Sequence, residues 1–302
     1  MIRIGSRGSQ LALWQANHIA SLLRAQGHEV AIATITTTGD RLQAVPFARV
    51  GSKGMFTKEI EEALAEGAID LAVHSLKDLP TELDARFVIA AVTERMDPRD
   101  VFVSIHYNSM AELPKGARVG TSSLRRQSQL RARWPGVEYV ELRGNVDTRL
   151  RKLSEAQVDA AVLAAAGLDR LERTEWVRER FSADVLCPAP GQGALAIECR
   201  TADERTRAAL TILDHAESRF AVTAERVALA ALGGGCQVPI GAYCRRDGNQ
   251  YRISGCVSSP DGATVLRAEE RGTDAESLGA GLADSLLKQG ALQLLAQQGN
   301  VK

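Results

Sequence analysis

RVGTSSLRRQSQLRARWPGVEYVELRGNVDTRLR, residues 118–151, decides the fold class. Arg118–Gly120 reads as a strand. The hydroxyls Thr121, Ser122 and Ser123 follow, with Ser122 as N-cap of a helix that runs to Arg133 and is ended by Pro135-Gly136. Residues 139–142 read as the next strand and 146–153 as the next helix. Alternation at this spacing predicts a parallel or mixed sheet covered by helices. The same stretch carries eight arginines (118, 125, 126, 131, 133, 143, 149, 151) against three acids, Glu138, Glu141 and Asp147. The whole chain is neutral, with 37 Lys+Arg and 37 Asp+Glu over 302 residues. A local excess of cations in a neutral protein points to a pocket for a small, multiply charged anion.

The pattern extends outward on both sides. Upstream, 2–5, 30–35 and 69–73 read as strands. Residues 11–25 and 56–64 carry apolar side chains at helical spacing, among them Leu11, Trp14, Ile19 and Leu23 in the first. The stretch 39–54 holds Pro46 and three glycines without a period and reads as a mobile loop. Residues 101–105 and 160–163 are further strands. A polar segment at 94–98 leads from the first α/β run to the second, and Pro188-Ala189-Pro190-Gly191-Gln192-Gly193 leads back to a strand at 194–199. Two crossings predict a hinged pair of lobes with a cleft between them. The tail differs: a helix at 217–232, three glycines, strands at 240–244, 251–257 and 264–269, and a helix at 275–288. The expected architecture is therefore two α/β lobes with mixed sheets, 1–93 with 194–212 and 98–189, plus a small C-terminal α+β domain, 217–302.

Composition narrows the class. Hydrophobic content of 45% and charged content of 25% are those of a soluble globular chain. The five cysteines (187, 199, 236, 244, 256) show no C-x-x-C spacing, which suits a reducing compartment. The start, MIRIGSRGSQ, lacks the apolar core of a signal peptide, and the longest apolar run, near 160–168, is too short for a bilayer. A cytoplasmic protein with no membrane contact is expected. Only 4% of residues are aromatic, which together with neutrality argues against a nucleic-acid partner.

Four stretches carry candidate chemistry. In Val73-His74-Ser75-Leu76-Lys77-Asp78-Leu79-Pro80 a strand ends in polar side chains, where open α/β sheets bind ligands. Lys77 suits a ligand carboxylate, and Asp78 suits proton transfer or a developing cation. A solvated ion pair on a surface turn is the alternative. In residues 119–126 a strand, a glycine, three hydroxyls and a helix start form an anion seat. Arg125 and Arg126 in the first helical turn oppose the helix dipole unless an anion lies between them. Residues 142–149 repeat that logic with Arg143 and Arg149. Arg7, Lys53 and Arg170 are similar cations, each of which also reads as a surface residue. In Gly233-Gly234-Gly235-Cys236 the thiol reads either as a small buried hydrophobe or as a reactive, derivatised group. No dinucleotide loop, P-loop, nucleophile elbow or metal-ligand spacing is present, so no metal site is expected.

The strings AVHSLKDLPT, ERMDPRDVF, VGTSSLRRQSQL, LRGNVDTRL, PAPGQGALAIECR and LGGGCQVPIGAY occur in this order, after RIGSRGSQLALWQA. Together they resemble the porphobilinogen deaminase (hydroxymethylbilane synthase) family over nearly the whole chain. The resemblance implies two lobes like those of periplasmic binding proteins and a third domain. It implies a transferase of porphyrin and haem biosynthesis that joins four porphobilinogen molecules head to tail, releases ammonia each time, and frees hydroxymethylbilane with water. It implies a dipyrromethane cofactor on Cys236 through a thioether, with Asp78 as the catalytic carboxylate. Lys77, Ser75, Thr121, Ser122, Ser123, Arg125, Arg126 and Arg143 would hold the cofactor, and Arg7, Lys53, Arg149 and Arg170 the substrate. A monomer is implied. A non-catalytic two-lobed anion binder is the rival reading, and it leaves the Gly-Gly-Gly-Cys segment and the tail without a purpose.

Overall fold

The structure, a computed structural model, describes residues 1–41, 57–234 and 238–296. In chain order it begins with β1 (Ile2–Ser6), α1 (Gln10–Ala25), β2 (Val30–Thr34), α2 (Thr38–Arg41), α3 (Lys58–Ala65), β3 (Leu71–Ser75) and β4 (Phe87–Val92). Next come β5 (Asp100–Val103), β6 (Arg118–Gly120), α4 (Leu124–Arg133), β7 (Glu138–Val140), α5 (Val146–Ser154), β8 (Ala160–Ala164), α6 (Ala165–Arg170) and β9 (Val177–Arg180). The chain continues through β10 (Leu195–Arg200), α7 (Glu204–Leu210) and α8 (Ala216–Ala231) to β11 (Ile240–Asp247), β12 (Gln250–Ser258), β13 (Val265–Gly272), α9 (Ala275–Lys288) and α10 (Ala291–Ala296). Two compact units result, Met1–Arg95 with Ala194–Arg219, and Met96–Gly193 with Phe220–Lys302. No helix among the described residues is long and apolar enough to cross a membrane.

The first unit holds a five-stranded mixed sheet in the order β2-β1-β3-β10-β4. β1 pairs parallel with β2 and β3, and β10 runs antiparallel between β3 and β4. Alternation sorts the side chains onto two faces. Ile4, Leu71, Val73 and Ile197 pack on one face with Ile19 and Leu23 of α1. Ala72 and Phe87 pack on the other with Ile60 and Leu64 of α3. Ser9 starts α1 by accepting the Ala12 N–H at 3.3 Å. β4, a plain apolar run, is a strand that the sequence analysis passed over.

The second unit holds another five-stranded mixed sheet, β7-β6-β8-β5-β9, and an antiparallel three-stranded sheet, β11-β12-β13. β6 pairs parallel with β7 and β8, while β5 runs antiparallel to β8 and β9. β9 reads Val-Arg-Glu-Arg and shows no apolar alternation, so it too was missed. The helix after β6 starts one residue later than expected. Ser123, not Ser122, is its N-cap and accepts the Arg126 N–H, because the Ser122 hydroxyl donates to Leu142 O at 2.9 Å.

Within the same unit α9 lies tight against α8. A Cβ on Gly279 would stand 2.3 Å from Ala224 O, whereas one on Gly281, in the same helix, meets only Glu270 Cγ at 3.8 Å. Gly279→Val is therefore expected to cost about 1–3 kcal/mol or more through overpacking. Gly281→Ala is expected to be neutral or to gain up to about 1 kcal/mol of helix propensity. Urea or thermal unfolding of the two variants checks the contrast.

Candidate functional site

In the first unit β1 and β3 are parallel neighbours, so residues just past them leave the sheet at the same edge. Arg7, half-buried, follows β1, and the Ser75–Asp78 turn ends β3. That turn is tied down by its apolar members. Leu76 and Leu79 are buried, the Leu76 N–H donates to Ala194 O at 3.1 Å, and the Leu79 N–H donates to Leu76 O at 3.1 Å. Lys77 is half-buried and Asp78 exposed. Ser75 Oγ accepts from Nε2 of Gln15, a buried residue of α1, at 2.8 Å. A carboxylate thus stands in solvent on a turn whose backbone is held on both sides.

The second unit repeats the arrangement on β6, β7 and β8. Past β6 lie Thr121, Ser122, Ser123, Arg125 and Arg126; past β7 lies Arg143, with Arg149 in α5; past β8 lies Arg170 at the end of α6. Gly144, at φ +111°, makes the turn after Arg143, and a Cβ there would stand 2.6 Å from Thr148 Cγ2. Asn145 then caps α5 by accepting the Thr148 N–H at 2.9 Å. Arg143 is 19% exposed and pairs with Glu141 at 2.6 Å. Arg170 is buried and donates from Nη2 to Gly193 O at 2.7 Å. Burial pushes its guanidinium down to about 10, with Asp169 working the other way.

Arg125 and Arg126 do have an anion between them, and it belongs to the protein. Asp100, wholly buried at the start of β5, accepts from Arg125 Nη1 at 2.7 Å on Oδ2. Its Oδ1 accepts from Arg126 Nε at 3.0 Å, Arg126 Nη2 at 2.8 Å and Gln192 Nε2 at 2.9 Å. Burial alone would raise this carboxyl, but the two facing guanidiniums hold it well below the usual carboxylate range. A second buried acid, Glu225 of α8, accepts the N–H groups of Gly191 and Cys244, each at 2.7 Å. Asp100, Gln192 and Glu225 were not among the expected site residues. The signal was available for Asp100 alone: an acid opening an apolar strand, in a chain with an arginine pair that demands a counter-ion.

Lys53 and Cys236 lie outside the described residues. The other four thiols, Cys187, Cys199, Cys244 and Cys256, are buried. Among the described residues no group of three His, Cys, Asp or Glu side chains is placed to hold a metal ion.

Asp100→Asn leaves two buried guanidiniums without their charge partner and is expected to cost about 3–5 kcal/mol at neutral pH. The carboxyl is depressed in the fold, so its stabilisation is complete above its unfolded value, about 3.9, and fades as the pH falls further. The stability gap between wild type and Asp100→Asn is therefore constant above about pH 4 and narrows below it. Chemical denaturation over a pH series measures that gap.

Residues 2–208 match the family model described as porphobilinogen deaminase, dipyromethane cofactor binding domain, and 219–288 match the porphobilinogen deaminase C-terminal domain. The porphobilinogen deaminases of Geobacter sulfurreducens and Geotalea uraniireducens are each 48% identical over 300 residues, 98% of this chain and 94% of theirs. Among solved structures, the methionine-binding protein MetQ aligns at 14% identity and TM-score 0.47, over 70% of this chain and 89% of its own. A methionine-binding lipoprotein of Bacillus subtilis aligns at 14% and TM-score 0.44, over 72% and 90%. Two family models that between them run from residue 2 to 288, and relatives alike at nearly half of all positions, make this chain a member of the porphobilinogen deaminase family.

Proposed function

We propose that the chain is a porphobilinogen deaminase. It joins four porphobilinogen molecules head to tail on a dipyrromethane anchored to Cys236, releases ammonia at each addition, and frees hydroxymethylbilane by hydrolysis. The observation that carries this reading is the crowding of cations and hydroxyls past the carboxyl ends of parallel strands in each unit, together with one exposed carboxylate on a fixed turn. Each pyrrole bears an acetate and a propionate, so cofactor and growing product are polyanions. Guanidiniums, ammonium groups and capped helix starts fit them, and each charge-assisted hydrogen bond contributes about 1.5–3 kcal/mol.

The cofactor, when bound, supplies the pyrrole carbon onto which the chain is extended. Arg125 and Arg126 keep a net positive charge beside the single carboxylate of Asp100 and, with Arg143 and Lys77, would hold the cofactor's carboxylates, while Ser75, Thr121, Ser122 and Ser123 lie on the same turns. Arg7, Lys53, Arg149 and Arg170 take the carboxylates of incoming substrate. Lys53 and Cys236 enter by sequence motif. Asp78 faces the positive charge that develops on the substrate pyrrole as ammonia leaves, and it accepts the proton given up when the new bond forms. Residues 94–97 and 190–193 act as hinges, and 217–302 serve as the domain that carries the anchor. The protein works as a cytoplasmic monomer without a nucleic-acid partner.

Intact mass of the denatured protein tests the reading. The wild type is expected to be heavier than its sequence by one dipyrromethane, and Cys236→Ala is expected to lose that mass and all turnover. Unmodified wild-type mass, with no ammonia released from porphobilinogen, sinks the proposal. Asp78→Ala is expected to keep the added mass but lose turnover by about 10²–10⁴-fold, as assayed by product formation. Arg143→Ala is expected to impair cofactor assembly or chain extension while the thermal midpoint stays near that of wild type.

A further inference from the structure

One buried ionisable pair has no part in the chemistry above. His74 Nε2 lies 2.9 Å from Glu198 Oε2, and the two residues are 8% and 0% exposed. In the antiparallel pairing of β3 with β10, Ala196 faces His74 and Glu198 faces Ala72. His74 and Glu198 are thus diagonal neighbours on one face of the sheet. Val73 and Ile197 belong to the core on the α1 side, so this pair points to the α3 side, the face of Ala72, Ile60 and Leu64. Glu61 of α3 feels it: burial and the Glu198 charge push the Glu61 carboxyl up, Thr57 and His74 pull it down, and Asp84 adds to the rise. Glu198 Oε1 is buried with no hydrogen-bond partner among the described residues.

Such a pair is a poor way to gain stability. A carboxylate out of water with one oxygen unmatched is costly, and apolar side chains of similar size often serve the fold as well or better. Its position is informative. His74 immediately precedes Ser75, and Ser75 is held by Gln15 from the α1 side. Consecutive residues at the end of β3 are therefore gripped from opposite faces, directly before the turn that carries Lys77 and Asp78.

We propose that Glu198 is a positioning residue: acting through His74, it fixes the end of β3 and so the placement of Asp78. The inference rests on the reading of Asp78 as the catalytic carboxylate. Its test uses full-length, cofactor-loaded protein. The paired change His74→Phe with Glu198→Leu removes the bond without leaving a buried polar group unmatched, which protects the fold. Glu198→Gln keeps an acceptor for the imidazole N–H. Because a misplacement of one ångström costs roughly 10²-fold, kcat in the paired variant is expected to fall about tenfold or more, with KM within about twofold. Glu198→Gln is expected to recover most of that loss. Hydrogen exchange at the Leu76 and Leu79 amides is expected to quicken in the paired variant and to stay at the wild-type rate in Glu198→Gln.

Wild-type kcat and unchanged exchange in the paired variant overturn the inference. So does a kcat loss that Glu198→Gln fails to recover, since that outcome assigns the effect to charge. Full activity in Asp78→Ala removes the mechanism itself, whatever the Glu198 variants do. An inactive Asp78→Ala beside a fully active paired variant removes only the role of Glu198.

Discussion

A single carboxylate organises the arginine-rich unit. Asp100 is out of contact with solvent and bridges two guanidiniums that would otherwise sit next to each other without a counter-charge at the positive end of α4. Without it, like-charge repulsion would drive Arg125 and Arg126 apart, and the positive end of the helix dipole would disfavour both. With it, they are locked in one geometry, and Gln192 donates to the oxygen that also holds Arg126. The segment just before the return crossing is thereby joined to the strand and helix that bear the arginines. Glu225 grips the same segment at Gly191 and joins it to β11, the strand that follows the Gly-Gly-Gly-Cys stretch. Two buried acids thus connect the cations proposed to hold the cofactor with the strand that follows its proposed anchor in the sequence.

The first unit solves a different problem with the same means. Its proposed reactive group must be exposed yet must not wander. The turn after β3 meets both demands by setting a half-buried Lys77 and an exposed Asp78 between two buried leucines, so that Leu76 and Leu79 hold what Lys77 and Asp78 present. Gln15 and Glu198 hold the strand end on its two faces. Buried polar groups of this kind contribute little net stability. They restrict geometry, which is what a carboxylate working against a transient cation requires.

Much of the fold and some of the site were legible in the sequence. The strand–helix alternation, the capped helix starts, and the glycine and proline stops are local signals, and they placed β6, α4, α5, β8 and α9 within a residue or two of where they lie. The motif strings pointed to the family and named Asp78 and Cys236. Two strands escaped. β4 is apolar on both faces and shows no period, and β9 is too polar to show one. The N-cap of α4 was misplaced by one residue because three hydroxyls stand in a row, and only the nearby carbonyl of Leu142 decides which of them is left to cap.

Sequence alone determined which side chains this protein carries to the ends of its strands, since periodicity and turn chemistry are properties of neighbours along the chain. Tertiary structure decided what each of them meets there. Asp100 and Arg126 are 26 residues apart, and His74 and Glu198 are 124 apart. Partners at such distances are brought together by strand order and register, which no local pattern encodes. That is why the arginine pair read only as a seat for a ligand's anion, where the fold also places Asp100.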